Sequence, residues 1–194
     1  MKKLILASGS PRRKELLSYF KIPMEIIKPD IEEHVDPKLT PEEVVKSLAF
    51  QKGEAVVKKI GTQNPVISSD TIVVLDEKIL GKPEDKEDAM KMMRTLSGRT
   101  HYVFTGVAVF FKDKVDVFAV KSGVTFKKLT EKEIKDYCDT DEPYDKAGAY
   151  AVQGIGSFMV RSIDGSYSNV IGLPVSEVIE HFQKLGILNG LEFG

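Results

Sequence analysis

Leu4-Ile5-Leu6-Ala7-Ser8-Gly9-Ser10-Pro11-Arg12-Arg13 decides the fold class. Leu4-Ile5-Leu6 is a short apolar run of the kind a buried strand uses. Lys14 to Phe20 continues as a helix, with Ser10 as its N-cap and Pro11 at its first position. A strand passed through a Ser/Gly turn into a helix start opens an α/β chain. Arg12 and Arg13 then fall in the first helical turn, where the backbone dipole disfavours cations. An anion held by free backbone N–H groups and both guanidinium forks reverses that penalty, and a phosphorylated ligand is the natural candidate. The alternative is two solvated arginines on a surface helix.

Strand and helix alternate along the rest of the chain. Met24 to Ile27 reads as a second strand. Thr40-Pro41-Glu42-Glu43 combines a cap, a first-turn proline and a capping-box Glu, opening a helix to about Lys59. Val66 to Leu75 is a long strand, and Asp76 to Lys78 a turn. Asp85 caps a helix through Met90, Met92, Met93 and Leu96, closed by Gly98. Those methionines read as core packing. His101–Phe111 and Val115–Phe126 are two long strands joined at Asp113-Lys114. Thr130 to Glu133 is a second capping box, opening a helix to about Asp139. Thr140 to Gly156 is polar and glycine-bearing, Phe158 to Ile163 is a strand, and a last helix starts at Pro174 and ends at Gly186. The pattern is α/β with a long mixed sheet; strand order is not encoded locally.

The chain has 194 residues, 42% of them hydrophobic and 29% charged, with a formal net charge of −1. That balance suits one sizeable folded domain or two small lobes. It excludes a general nucleic-acid binder, which needs a large basic excess. Cys138 stands alone, so no disulfide framework exists, and its helical context makes it a small hydrophobe. The apolar stretch after Lys2-Lys3 is too short for a signal sequence, and no run approaches membrane-spanning length. A cytoplasmic location is expected.

Asp70 interrupts a run, Val66 to Leu75, that should be buried. A carboxylate there is costly unless paired, hydrogen-bonded or metal-bound. It reads either as a general base or metal ligand at a strand end, or as a strand-end Asp serving a local turn with Ser68, Ser69 and Thr71. Lys52 falls on the apolar stripe of the second helix, formed by Val45, Leu48, Ala49 and Val56. It either snorkels to water or places its ammonium in a phosphate pocket. Lys82 in Leu80-Gly81-Lys82-Pro83 occupies a tight connector, where a surface lysine is the plainer reading. Glu32-Glu33-His34 lies in a loop and says little alone. Asp141 to Tyr150 has the charges, tyrosines and glycine of a binding loop. There is no phosphate loop of the Walker type, no dinucleotide fingerprint and no nucleophile elbow, and His34, His101 and His181 lack metal-ligand spacing.

Six segments, taken in order, resemble the Maf family of nucleoside triphosphate pyrophosphatases, also called septum formation proteins. They are Leu6 to Arg13, Ser69 to Thr71, Gly81 to Pro83, Leu96 to His101, Glu142 to Tyr150 and Gly172 to Pro174. The resemblance spans nearly the whole chain, as a single domain over residues 1–194. It implies an elongated mixed β-sheet flanked by helices, in a Maf/ITPase-like arrangement of two lobes around a central cleft. It implies hydrolysis of dTTP and UTP to the monophosphate plus pyrophosphate, with modified pyrimidine triphosphates as further candidates. A divalent cation (Mg²⁺ or Mn²⁺) and a homodimer are also implied.

On this resemblance Asp70 is the proton acceptor, and Ser8, Arg13, Lys52 and Lys82 contact the phosphates. Glu33 and Asp70 are the candidate metal ligands. Arg12, Thr71 and Gln153 are the specificity positions of the dTTP/UTP group. Gly53 stands where the family more often has another small helix former, at a cost in helix stability. A non-catalytic, nucleotide-binding regulator of septum formation is the alternative function.

Overall fold

The computed structural model describes residues 2–190. Its strands are β1 (Leu4–Ala7), β2 (Met24–Ile26), β3 (Val66–Leu75), β4 (Lys78–Leu80), β5 (Thr100–Phe111), β6 (Lys114–Phe126) and β7 (Val160–Asp164). Its helices are α1 (Pro11–Ser18), α2 (Pro41–Ile60), α3 (Lys86–Leu96), α4 (Glu131–Cys138), α5 (Tyr167–Ile171) and α6 (Val175–Lys184). The strands form one seven-stranded mixed sheet in the order β2-β1-β3-β5-β6-β7, with β4 added to β3. β1 runs parallel to both β2 and β3. The remaining pairings described, β3 with β4 and β6 with β7, are antiparallel.

Local chemistry explains most boundaries. Thr40 accepts from the Glu43 N–H while the Glu43 side chain accepts from the Thr40 N–H, a closed capping box with Pro41 at the first helical position. Glu42 and Glu43 face the positive end of α2 and Lys58 and Lys59 its negative end. Thr130 and Glu133 repeat the box at α4, and Asp85 caps α3 by accepting from the Asp88 N–H.

Several expectations are corrected. Ser10 holds the N-cap position of α1, but its side chain makes no cap hydrogen bond. Asp76 and Glu77 both have positive φ, 49° and 63°. Two such residues make the tight turn whose twist matches antiparallel strands. The chain therefore re-enters the sheet as β4 rather than leaving it. The polar stretch after α4 is built of 3₁₀ turns at Glu142–Asp145, Ala147–Ala149 and Ile155–Met159. The last of these takes Phe158 and Met159, so β7 begins only at Val160. The short helix α5, Tyr167–Ile171, is too brief to show a helical period in the sequence.

Two compact units share the chain. The first takes residues up to Asp70, Thr105–Val120, and those from Gly172 on; the second takes Thr71–Phe104 and Lys121–Ile171. In the first, Ile5, Ala7, Ala49, Val56, Val66, Ala108 and Phe110 form a buried cluster under α2. Two glycines set how closely α2 sits on its strands. A Cβ on Gly53 would overlap the Phe110 ring and Ser68 Oγ. A Cβ on Gly106 of β5 would overlap the Val45 backbone carbonyl of α2. The helix-weakening Gly53 is thus a packing requirement. Ser68 Oγ adds a 2.6 Å hydrogen bond to the Ala49 carbonyl of the same helix.

The second unit packs α3 and α4 through Met93, Leu96, Ile134 and Tyr137, with Phe126 and Met159 beneath. Met90 and Met92 pack on its edge, as core methionines should. Cys138 is buried there, and burial pushes its thiol upward, which suits an inert side chain. His101 is fully buried; its Nε2 is 2.7 Å from the Tyr150 hydroxyl, and its ring stands edge-on to Phe126.

Candidate active site

β1 ends at Ala7, opposite Ser68 of the parallel strand β3. The turn that follows is closed by Ser8, not Ser10. Ser8 Oγ accepts from the Ser10 N–H at 3.1 Å and from Arg13 Nη1 at 3.3 Å. Arg13 Nε donates to the Gly172 carbonyl at 2.8 Å, and Ser69 Oγ donates to the same carbonyl at 3.4 Å. Gly172 has φ 125°, a conformation that favours glycine, which explains the Gly in Gly172-Leu173-Pro174. Arg13 is therefore fixed at the start of α1 by two oxygens. Burial pulls its pKa down to about 10, while Asp70 and Glu33 push it back up and Arg12 pulls it down. It remains charged at neutral pH. Arg12, partly buried, occupies the second position of α1.

Asp70 lies in the middle of β3, not at its end. No local turn uses it. Its side chain is 13% exposed and meets the Lys52 ammonium in a short hydrogen-bonded ion pair. Lys52 does not snorkel. Its side chain is 15% exposed, and the same ammonium pairs with Glu33 at 3.0 Å. Asp70 Oδ1 and Glu33 Oε1 thus converge on one cation. Removing one partner of such a partly buried pair leaves an uncompensated charge, which is why these groups hold one another.

The loop placement of Glu33 has its own cause. Gln51, the residue before Lys52 on α2, clasps the adjacent His34 backbone from both sides. Its Oε1 accepts from the His34 N–H at 3.0 Å, and its Nε2 donates to the His34 carbonyl at 2.8 Å. The loop is thereby tied to the helix that carries Lys52.

The first unit therefore brings together Ser8, Arg13, Glu33, Lys52 and Asp70. Thr71, Lys82 and Gln153 belong to the second unit. Thr71 follows Asp70 on β3 and is partly buried. Lys82 is exposed in the connector after β4, whose Gly81 carbonyl accepts from the Gly148 N–H at 3.0 Å. Gln153 is exposed, between buried Val152 and the glycines at 154 and 156. Gln51 and the Gly172 carbonyl have no signature in the sequence that points to these contacts. Gly172-Leu173-Pro174 was visible as a motif, but an acceptor on the backbone leaves no side-chain signature.

Glu33 and Asp70 offer hard oxygen donors of the kind a Mg²⁺-class cation takes, and because their convergence point holds the Lys52 ammonium, such a cation would use their remaining oxygens together with phosphates and water. Among the described residues there is no group of three or more His, Cys, Asp or Glu that could hold a metal by itself. Nor is any helix long and apolar enough to cross a membrane.

Residues 3–185 match the model of the Maf family, described as Maf-like protein. A Bacillus cereus (strain G9842) protein named dTTP/UTP pyrophosphatase is 46% identical over 187 residues, 96% of this chain and 97% of the relative. A second, from B. cereus strain ATCC 14579, carries the same name and is 44% identical over the same shares. A solved HAM1 protein from Coxiella burnetii shares the fold, with a TM-score of 0.55 at 14% identity, covering 97% of this chain and 100% of that one. This chain belongs to the Maf family.

Proposed function

We propose that this Maf-family chain hydrolyses dTTP and UTP, and modified pyrimidine triphosphates of similar shape, to the nucleoside monophosphate and pyrophosphate. The observation that carries the reading is 46% identity across 96% of the chain to proteins bearing that activity in their name. The charged cluster of the first unit supplies a chemistry for it. Arg13 offers a guanidinium fork to phosphate oxygens, pre-set by Ser8 and the Gly172 carbonyl. Lys52 is a point charge that an incoming phosphate would share with the two carboxylates. Lys82 would add a further cation, and Arg12, Thr71 and Gln153 would set the preference for a pyrimidine.

Asp70 is assigned as general base. Its Oδ1 is committed to Lys52, which orients the carboxylate and leaves Oδ2 to take a proton from the attacking water. The water oxygen bonds to the α-phosphorus, the bond from that phosphorus to the α,β-bridging oxygen breaks, and pyrophosphate leaves with the electron pair. Most of the rate enhancement then comes from positioning and charge neutralisation. A divalent cation, Mg²⁺ or Mn²⁺, held by Glu33 and Asp70 would supply further neutralisation of the phosphate oxygens. A cytoplasmic homodimer acting as a single functional domain over residues 1–194 completes the reading.

The test is pyrophosphate release from a panel of dTTP, UTP, CTP and 7-methyl-GTP with Mg²⁺ or Mn²⁺. Turnover of dTTP and UTP above the others is the expected outcome. Tight binding of dTTP without pyrophosphate release would replace this reading with a nucleotide-binding regulator of septum formation.

A further inference from the structure

Glu142 of the second unit directs its carboxylate at the backbone. Oε1 accepts from the Ile155 N–H at 2.7 Å. Oε2 accepts from the Gly156 N–H at 2.7 Å and from the Tyr137 hydroxyl at 2.9 Å. The Gly154-Ile155-Gly156 segment is wrapped around this carboxylate so closely that a Cβ on Gly154 would overlap it. A Cβ on Gly156 would lie 2.7 Å from the Ala151 carbonyl and 3.1 Å from the Tyr137 hydroxyl. Both glycines are thus needed for the approach. Tyr137 is itself buried, and burial with the carboxylate beside it pushes its hydroxyl well above the usual range, so it stays a proton donor.

Gln153 immediately precedes this segment. On its other side, Ala151 and Val152 are buried. The exposed glutamine is therefore held between a buried dipeptide upstream and a carboxylate clamp downstream. An amide can discriminate one base edge from another only if its backbone does not drift, because selectivity depends on sub-ångström placement of donor and acceptor. We propose that Glu142 is a positioning residue for base selection, fixing Gln153 through the Gly154–Gly156 backbone. This rests on the reading in which Gln153 contacts the pyrimidine.

The experiment compares kcat/KM for UTP and for GTP in the full chain, its Glu142→Gln, Tyr137→Phe and Gln153→Ala variants, and the Glu142→Gln/Gln153→Ala double variant. Glu142→Gln sets an amide N–H₂ against a backbone N–H or the Tyr137 hydroxyl. The UTP-over-GTP ratio should fall about tenfold, carried by KM for UTP rather than by kcat. Tyr137→Phe removes one of three donors and should move the ratio the same way by about threefold. With Gln153 already replaced, adding Glu142→Gln should leave the ratio where Gln153→Ala put it, the non-additivity expected of residues acting as one unit.

Three results would overturn the inference while leaving the role of Gln153 intact: Glu142→Gln and Tyr137→Phe keep the ratio while Gln153→Ala lowers it; Glu142→Gln lowers kcat equally for both nucleotides; or the two effects on the ratio simply add. A Gln153→Ala variant with an unchanged ratio overturns the base-reading assignment itself. If Glu142→Gln fails to fold, the Tyr137→Phe and Tyr137→Phe/Gln153→Ala pair decides by the same criteria.

Discussion

Asp70 in the first unit and Glu142 in the second are both carboxylates drawn away from water, and their partners differ. Asp70 meets a lysine ammonium on a long flexible stem, shared with Glu33. Glu142 meets two backbone N–H groups and a tyrosine hydroxyl. A lysine can reassign its charge to an arriving phosphate at little structural cost. Backbone donors cannot be reassigned without rebuilding the loop. The difference teaches what each arrangement suits: exchangeable partners suit a cluster that must admit a charged ligand, and fixed partners suit a scaffold that holds a loop in place.

The comparison breaks most decisively at Asp70. Asp70→Asn should lower pyrophosphate release by about 10²–10⁴-fold, the usual worth of a general base, while circular dichroism shows a folded chain. An active, folded variant would remove Asp70 from the chemistry and erase the contrast with Glu142.

The buried His101 sharpens the contrast by pH. Burial holds its pKa down to about 4, against an ordinary 6.5. The folded chain therefore binds this proton less readily than the unfolded chain. The stabilisation is fully present above about pH 6.5 and is lost as pH falls toward 4, by on the order of 3 kcal/mol. Thermal melts of the parent and a His101→Gln variant between pH 7 and 4 should diverge in slope, the variant being flatter. Parallel slopes would show that His101 is not the group that titrates.

Gly106→Ala tests packing in the first unit. The atoms met are the Val45 backbone, which no rotamer change can move aside. A loss of about 2 kcal/mol in denaturant unfolding is expected, with weakened turnover because α2 carries Lys52. The smallest effect is a matched pair: Thr40→Ala and Thr130→Ala each remove a capping-box hydroxyl, one in each unit. Each should cost about 1 kcal/mol of stability with kcat retained.

The parts of the fold legible in the sequence were those with local causes. Capping boxes at Thr40 and Thr130, the Asp85 cap and the long apolar strands all speak within a few residues. β4 was hidden because its turn uses Asp76-Glu77 at positive φ rather than the usual Asn-Gly, and α5 because it is only five residues long. The place of β1 between β2 and β3 depends on distant pairings that no local window holds. Asp70 and Lys52 stood out because each is polar where its pattern wants an apolar residue. That they answer each other, eighteen positions apart, is visible only in space. Ser8 in place of Ser10, Gln51 on His34, and the Gly172 and Glu142 contacts all involve backbone atoms, about which residue identity is silent.

Gly53 and Gly106 have a consequence beyond packing. They let α2 and its strands touch where a methyl would hold them apart, and Lys52 immediately precedes one of those contact points on the helix. Its reach toward Asp70 is thus set by a contact at a residue without any side chain. A methyl at either position acts as a shim, lifting the ammonium before any charged group is altered. The electrostatics of the cluster can be detuned from a site that bears no charge.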